Sequence, residues 1–567
     1  MKMKSTFTIL LLCCTFALAA QNQKIDPTVE VNRDYQGKMM EITKGKLNTA
    51  TADSLNSFNL DFSYSFFNKP YKDMYEFSAV PSASIPEMDT IYTPWLHAKG
   101  GIGFPFTAQA SILVSPRLTK GNYLNMMGDF NLFNGKVPEI AIMEGKAQES
   151  GRKVDNKEYS YGVGAGYTYA WRSGELGISV GFNGGYSTYY GYRTNDAADA
   201  ADHSYTVAGI EMGIKSSGAG KYGQKMNYAL KGKFSHTSDK GMRELQENIF
   251  SISAEAGPTV GRYNKFMAAV SVEAADAGNA AHYTAGLFGI TPQYRFENGK
   301  LKVNLGIKLQ GHFGDREKRD RYHSYIFPAV DLSFNLLPHN LWLYGKVDGG
   351  NVLNTYTGTL AQNKHISPDH TPAGLMTGSI PLDVEGGFKG RFTDRFSFSV
   401  FAGYTIHKGL QQFYHDQRNG WSNTFYSNTN RFGIGASAVV ATERFQGEIS
   451  ALHSSWTKGK KSSFINGLAP VGFPSIEGEA RIRYNWEKKV YATVECTFRG
   501  ETGYLCLDAA QGTVPAFADL KAGVEWVYSP VVTFWLQGCN LLDAPLQYHP
   551  FYAGRRIGLY AGIIVEL

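Results

Sequence analysis

Apolar and polar residues alternate with a period of two along most of this chain. In the stretch 301–313, Leu305, Ile307 and Leu309 fall on one face of an extended strand, and Lys308 falls on the other. Successive side chains of a strand point to opposite faces, so one face suits hydrocarbon and the other suits water. The pattern predicts an all-β protein with one apolar and one polar surface on each strand.

The connections between the predicted strands alternate strictly between short and long. Residues 172–175 and 297–300 are short turns, whereas 133–158 and 408–430 are long polar segments. Tight turns at one side and long loops at the other are typical of outer-membrane barrels, while a soluble β-sandwich has no such rule. The sequence therefore predicts a transmembrane antiparallel β-barrel.

Counting strands between these connections gives about 22, with 20 or 24 left open. Residues 95–115 are too long for one crossing and contain Pro105, so we divide them into two strands at 103–105. Residues 58–66 also alternate and are an alternative first strand. Either choice gives 22 strands and places both ends of the barrel in the periplasm.

The chain ends on an alternating strand, and this predicts how the barrel closes. Ile563, Val565 and Leu567 lie on its lipid face, and Tyr560 and Gly562 lie on the inner face. A final strand that pairs with the first one removes the exposed edge of the sheet. We therefore assign Tyr560, Ile563, Val565 and Leu567 to a closing strand and assembly signal, and we expect Gly562→Ala to be mild.

Signals near the N-terminus predict that the chain has three parts. Lys2 and Lys4, the apolar run 7–18, and Ala17 and Ala19 predict a signal peptide at residues 1–20. Residues 21–92 are then an extended periplasmic or lumenal segment, and residues 93–567 are the barrel. No apolar stretch of about 18 residues follows the signal, which excludes a helical membrane protein.

Three pieces near the C-terminus carry a specific resemblance: Pro-Ala-Phe-Ala-Asp-Leu at 515–520, Phe-Trp-Leu-Gln-Gly-Cys-Asn-Leu-Leu-Asp at 534–543, and Tyr-Ala-Gly-Arg at 552–555. With the terminal strand they resemble TonB-dependent receptors, in which an Asn-Leu corner precedes Gly-Arg and the closing strand. The resemblance implies a 22-stranded barrel. These receptors also carry a plug domain and an energy-coupling box, whereas only about 70 residues separate the signal from Trp95. We therefore expect a plugless branch that does not depend on energy coupling.

A barrel of this size needs something inside it. A 22-stranded barrel encloses a lumen that outer-membrane transporters fill with a plug. Without that domain, we expect residues 21–92 and inward-folded outer loops to occupy the lumen. The alternative is that residues 21–92 stay in the periplasm and that the long loops alone close the barrel.

Composition agrees with a barrel and narrows the chemistry. The chain has 34 Tyr, 35 Phe, 62 Gly and a mean hydropathy of −0.27. The net charge is +6 with no polybasic run, which argues against nucleic-acid binding. Beyond the signal only Cys496, Cys506 and Cys539 remain, too few for a disulfide framework. No nucleotide, metal or nucleophile motif is present, so we predict no enzyme activity, no cofactor and no metal.

The long loop at 408–430 is the candidate ligand loop. It places Tyr414, Trp421, Phe425 and Tyr426 among several amide side chains. Aromatic faces beside amides can hold a sugar, because the ring stacks on its apolar face and the amides bond its hydroxyls. The alternative is that these aromatics pack the loop over the barrel mouth or sit in the aromatic girdle.

Two functions stay open. The first is transport of a nutrient or small solute across the outer membrane, and the alternative is a structural or assembly partner in an outer-membrane complex. In both cases the expected partners are outer-membrane lipid, the barrel-assembly machinery, and periplasmic or surface lipoproteins.

Overall fold

The computed structural model describes residues 94–194, 202–217, 226–241, 244–279, 282–314, 324–338, 340–369, 375–459 and 470–567. Within them lie 24 strands and a short helix, α1 (Tyr356–Gln362). The strands are β1 (Leu96–Phe104), β2 (Thr107–Val114), β3 (Asn122–Met143), β4 (Lys146–Trp171), β5 (Gly174–Thr188), β6 (Asp202–Ser216), β7 (Met226–Lys240), β8 (Glu244–Val260), β9 (Asn264–Asn279), β10 (Tyr283–Glu297), β11 (Leu301–Gly314), β12 (Ile326–Leu337), β13 (Leu341–Val352), β14 (Gly378–Thr393), β15 (Phe396–Asp416), β16 (Trp421–Ala441), β17 (Phe445–Lys458), β18 (Ile476–Trp486), β19 (Val490–Arg499), β20 (Thr502–Leu505), β21 (Gln511–Val514), β22 (Phe517–Val527), β23 (Val532–Cys539) and β24 (Gly558–Glu566).

Twenty-two of these strands form one closed antiparallel barrel, because β1 pairs with β2 on one side and with β24 on the other. The remaining two, β20 and β21, form a small hairpin in the connection between β19 and β22. The predicted count is confirmed. So is the division around Pro105, since β1 ends at Phe104 and β2 begins at Thr107. The alternative first strand at 58–66 and the predicted parts 1–20 and 21–92 lie outside the described residues.

The two faces of the wall follow the alternation that the sequence shows. On β11, Leu305, Ile307 and Leu309 are exposed on the outer surface, while Lys308 points inward and donates to Asp348 Oδ1 at 2.5 Å. Large apolar side chains are exposed in the same way around the wall, as a lipid-facing surface requires. Representative outward residues are Phe182, Ile210, Leu230, Phe250, Val270, Ile290, Phe334, Val400, Ile434, Ile449, Ile482, Val524 and Leu536.

The barrel has a turn end and a loop end. The turn end carries the short connections together with the start of β1 and the chain terminus, where the Trp95 N–H donates to Leu567 O at 2.6 Å. Exposed aromatics gather there, including Trp526, Tyr528 and Phe534, which pack ring against ring. Such rings suit the boundary between hydrocarbon and water.

Two connections predicted as long loops are instead extensions of their strands. β3 and β4 run for 22 and 26 residues and pair almost to their tip, and β15 pairs with β16 as far as Asp416 and Trp421. A crossing needs only about 9–11 residues. Beyond the bilayer both faces of a hairpin can be polar, so the alternation that reveals a strand in lipid disappears.

The close approach of β1 and β24 at the seam shows why the expectation that Gly562→Ala is mild is wrong. Gly562 pairs with Gly101 there, and a Cβ on Gly562 would lie 1.9 Å from the carbonyl oxygen of Gly100. Gly562→Ala, expected to be mild, therefore forces the closing strands apart. Alternation tells which way a side chain points, but it does not tell how closely the neighbouring backbone approaches.

The closing strand itself has the predicted faces. Ile563 and Leu567 are exposed outward, whereas Tyr560 is buried on the inner face beside Trp535 and Ile564. The assembly role of Tyr560, Ile563, Val565 and Leu567 stays a prediction. None of the helices among the described residues is long and apolar enough to cross a membrane.

Candidate functional site

At the loop end, several connections fold inward and pack together across the barrel mouth. We call this group the loop cap, defined by residues 189–194, 353–369, 416–421, 500–516 and 540–557. Side chains at its centre are as buried as those of a protein core. Examples are Tyr189, Tyr356, His365, Ile366, Ser367, Tyr504, Phe551 and Tyr552, each 3% exposed or less.

The central connection of the cap contains α1. Thr355 is its N-cap, and the Thr355 hydroxyl accepts from the Gly358 N–H at 3.0 Å. This side-chain acceptor satisfies one of the amides that a helix start leaves unpaired. The helix ends at Gln362 because Asn363 has an extended backbone, with φ at −143°.

A buried carboxylate on the barrel wall holds the start of α1. Glu247, on the inner face of β8, is 0% exposed. Its two oxygens accept from the backbone N–H groups of Tyr356 at 2.8 Å and Thr357 at 2.7 Å, and from the Thr357 hydroxyl at 2.5 Å. The Tyr283 hydroxyl on β10 also donates to it. A negative charge at a helix start is favoured, since amide dipoles point toward it.

A second wall carboxylate fixes the same connection. Asp239 on β7 accepts from the Tyr356 hydroxyl at 2.6 Å and lies 3.1 Å from His203 Nδ1. His203 Nε2 lies 2.7 Å from the carbonyl oxygen of Lys364. Both ring nitrogens of His203 therefore face acceptor oxygens, one on the wall and one on the connection. Asp239 and His203 together fix the connection to the wall through Tyr356 and Lys364.

Apolar contacts surround these polar anchors. Leu360 and Ile366 of the connection pack against inward side chains of the wall. The wall residues in this cluster are Leu245, Ala275, Ala277, Tyr283 and Ala285. The small side chains of β9 leave room for the connection, and the packed contacts exclude water from the two carboxylates.

Beyond α1 the connection continues toward β4 and the residues that follow β5. Lys364 Nζ donates to Glu158 on β4, and the Tyr189 hydroxyl donates to the Ile366 carbonyl at 2.6 Å. The His365 ring stacks on the Tyr552 ring with 3.5 Å between centroids. The connection between β13 and β14 is therefore fixed to one arc of the wall, from β8 and β7 to β4.

Three buried histidines lie in this part of the molecule. Burial holds the pKa of His365 well below its usual value, and lowers the pKa of His415 to about 4 and that of His549 to about 3. Desolvation penalises the charged ring, so all three are neutral at neutral pH. No group of three or more His, Cys, Asp or Glu side chains among the described residues is arranged to hold a metal ion.

The β3–β4 hairpin bends over the seam and closes the cap at that edge. Arg556, just before β24, forms an ion pair with Glu149 of the hairpin, and Gln547 Nε2 donates to the Ala147 carbonyl at 2.9 Å. Ile140 and Ala147 are buried against Tyr504 and Phe551 of the cap. This hairpin shields the short strands at the seam.

The tip of the predicted ligand loop, residues 416–421, belongs to the loop cap, and the rest of the loop is the paired end of β15 and β16 beside it. Trp421, Phe425 and Tyr426 are each 9% exposed or less, and Tyr414 is partly buried against Phe425. Trp421 also packs edge-on against Tyr189. Three of the four aromatics therefore present little surface to a solute in this closed arrangement. A role for Tyr414, Trp421, Phe425 and Tyr426 in ligand binding stays a prediction.

Sequence reasoning missed Glu247, Asp239 and Tyr356. The register of the strands contains a signal that distinguishes these carboxylates from others on the inner wall. Mid-barrel Glu211 faces Lys233 and forms an ion pair with Lys231, whereas Glu247 faces Thr237 and Asp239 faces Leu245. An inward carboxylate with no cationic residue directly opposite is a candidate acceptor for another part of the chain, but finding it requires the strand register.

No family model and no curated protein matches the chain, but solved structures do. The FrpB iron transporter from Neisseria meningitidis (F3-3 variant) is 8% identical with a TM-score of 0.62, over 84% of this chain and 82% of that one. The copper transporter OprC is 10% identical with a TM-score of 0.61, over 85% and 82%. The ferric-catecholate import receptor Fiu from K12 E. coli is 10% identical with a TM-score of 0.58, over 84% and 82%.

These three structures are TonB-dependent receptors, named as transporters or receptors rather than enzymes. At such low identity the likeness concerns the fold. It confirms the 22-stranded transmembrane barrel that the resemblance of the C-terminal sequence to these receptors implied. The plugless character inferred from the sequence stays a prediction, because residues 1–93 lie outside the described part.

Proposed function

We propose that this protein is an outer-membrane transport barrel through which a nutrient or small solute passes when the loop cap opens. The outer membrane is where barrels of this fold and apolar surface lie. The observation that carries the proposal is the connection containing α1, which is fixed to the wall by Glu247, Asp239 and His203.

These anchors are suited to a closure that can be reversed. Most of them are hydrogen bonds between one short connection and the wall, so they form or break together. The described residues of the connection, 353–369 and 375–377, contain no strand of the barrel, so their release would leave the 22-stranded sheet intact. Gating by a loop that docks and undocks on a rigid scaffold is a common arrangement in proteins.

The structural neighbours suggest where to begin the search for a solute. Their names give iron, ferric catecholate and copper as what they carry. We therefore place metal ions and their small organic chelates first among the solutes to test, followed by sugars. Outer-membrane lipid surrounds the wall, and the barrel-assembly machinery and periplasmic or surface lipoproteins are the proposed protein partners.

A reversible lock on the cap tests the proposal. The hydroxyls of Thr237 on β7 and Thr357 on α1 are 2.6 Å apart, so we choose these two positions for a cysteine pair whose sulfur atoms would lie close together. Cells with the double variant Thr237→Cys/Thr357→Cys are compared with and without reductant for uptake of each solute. The matched control is Thr237→Cys alone.

We expect the oxidised double variant to lose uptake and the reduced form to regain it, with the single variant unaffected. Uptake that is the same in the locked and reduced forms would contradict a transport role that depends on the cap. Loss of a co-purifying lipoprotein on locking, without any change in uptake, would favour the structural or assembly function instead. Repeating the uptake assay without energised TonB tests whether transport needs energy coupling.

A further inference from the structure

Below the cap, the inner wall of the barrel is uncovered over β5 to β9 within the described part of the chain. Ser179, Gly181 and Asn183 on β5 and Lys231 and Lys233 on β7 are exposed although they point into the lumen. Toward the loop end, the inward side chains of the same strands are buried by the cap. This sheet face is therefore half covered, and its lower half has room for another element.

Three inward glycines of this wall, Gly181, Gly209 and Gly213, are not required by the neighbouring strands, unlike Gly185 and Gly257, where an added Cβ would clash. A Cβ added at Gly181 would meet no atom within 4 Å, and one at Gly209 or Gly213 would meet nothing closer than 3.4 Å. A glycine inside a strand destabilises it relative to alanine, because the unfolded chain loses more conformational freedom on folding. Glycines that neighbouring strands do not need often mark a surface that another backbone approaches closely.

The wall also offers uncompensated positive charge. Lys215 pairs with Glu175 at 2.7 Å and Lys231 with Glu211 at 2.8 Å. Lys233, exposed to the lumen, has no ion-pair partner among the described residues. The excess of positive charge is local: β5 to β7 carry Lys215, Lys231 and Lys233 against Glu175 and Glu211, whereas the inward charges of β8 and β9 restore the balance. Lys233 is therefore the point where a carboxylate of another segment would be favoured.

Residues 54–93 precede the barrel directly and have the matching composition. They contain nine aromatic residues, and five carboxylates against two lysines. The described chain starts at the turn end, where the Trp95 N–H donates to Leu567 O, so residues 54–93 are joined to the barrel at the end of the lumen opposite the cap. Four strand spacings from β1 to β5 amount to roughly 20 Å, and 40 residues can extend over roughly 130 Å, so the segment can reach the wall.

We propose that residues 54–93 dock on the inner wall of β5 to β9 below the loop cap and fill the lower lumen. The glycines let the backbone of the segment approach, Lys233 pairs with one of its carboxylates, and the aromatics fill the space that a plug domain fills in other barrels. This inference goes beyond the proposed transport function, because a scaffold barrel would also need its lumen filled. Either can fail while the other holds.

Two glycines with equal free space allow a matched test. Gly181 faces the lumen, and Gly232 on β7 faces lipid between the outward residues Leu230 and Phe234. Neither has an atom within 4 Å of an added Cβ. Tryptophan at Gly181 would occupy the docking surface, whereas tryptophan at Gly232 would enter the bilayer, so only the first should displace the segment.

The readout is photocrosslinking of the full-length protein in outer membranes. Benzoylphenylalanine at Asn183 should crosslink within the same chain to a peptide from residues 54–93, identified by mass spectrometry. Gly181→Trp should reduce this crosslink at least tenfold and expose residues 54–93 to protease from the periplasmic side. Gly232→Trp should leave both unchanged, with heat-modifiable gel mobility showing that each barrel is folded.

A crosslink from Asn183 to a different protein, or to no peptide at all in the folded protein, would overturn the proposal. So would an equal crosslink in the Gly181→Trp and Gly232→Trp variants. If Gly181→Trp does not fold, Asn183→Trp at the neighbouring inward position replaces it, with the photocrosslinker moved to Ser253 on β8, which is also exposed to the lumen.

Discussion

Replacing Glu247 with glutamine should release α1 from the barrel wall. The carboxylate accepts four hydrogen bonds, from the Tyr356 and Thr357 amides and from the Thr357 and Tyr283 hydroxyls. A glutamine keeps one acceptor oxygen and turns an NH₂ group toward donors. About two of the four bonds are therefore lost.

Each hydrogen bond to a charged group contributes about 1.5–3 kcal/mol, so docking of the connection should weaken by roughly 3–6 kcal/mol. The lower figure corresponds to an increase on the order of 100-fold in the open population. Ser367 is 0% exposed in the closed cap and is a suitable reporter as Ser367→Cys. We expect the rate of its modification by a membrane-impermeant maleimide on whole cells to rise by about that factor in the Glu247→Gln background, above the background from the native cysteines.

The control is Glu211→Gln, which removes a partly exposed ion pair with Lys231 lower in the lumen and touches no part of the cap. In that variant the maleimide should modify the Ser367→Cys reporter at the same rate as in the parent protein. Equal labelling rates for Glu247→Gln and the parent, in folded barrels, would show that the carboxylate does not hold the cap closed.

Three further outcomes follow from the seam and the cap. Ile563→Arg and Val565→Arg should sharply lower the amount of folded protein in the outer membrane, since an arginine facing lipid near mid-bilayer costs roughly 2–4 kcal/mol; wild-type amounts of heat-modifiable barrel would contradict this. Gly562→Ala should also impair closure, seen as a lower unfolding temperature, and an unchanged temperature would contradict the close approach at the seam. As the pH is lowered below about 6.5, the α1 connection should lose protection from hydrogen exchange, after correction for intrinsic rates. The reason is that the pKa of His415, about 4, and that of His549, about 3, are depressed only while the cap is closed. At pH 5 each costs the closed state about 2 kcal/mol relative to pH 7, and pH-independent protection would contradict the neutral burial of these rings.

The wall of the barrel could be predicted from the sequence because lipid imposes a simple rule on it. Leu305, Ile307 and Leu309 must face hydrocarbon, and the alternation that results is local and readable. The division into two strands at Pro105 could also be predicted from local sequence, because the segment contains a proline and is too long for a single crossing. The same holds for the faces of the closing strand.

The cap could not be predicted because its contacts join residues far apart in the chain. Glu247 accepts a hydrogen bond from Tyr356, and the His365 ring stacks on Tyr552, but no periodic pattern in the sequence predicts either contact. The aromatics of the predicted ligand loop illustrate the same limit. Their composition fits both a sugar site and a packed lid. Only the strand register and the neighbouring connections place Trp421 inside the cap and bury Tyr426 beside it.

Conductance of the purified protein in planar bilayers shows whether the chain is a wide transmembrane barrel closed by its own segments. We expect a closed barrel for the intact protein. We expect a large steady conductance for a variant that lacks residues 21–92 and has residues 355–369 replaced by a short glycine-serine linker. Strong conductance of the intact protein, or a closed double variant that retains heat-modifiable mobility, would contradict closure of the barrel by its own segments.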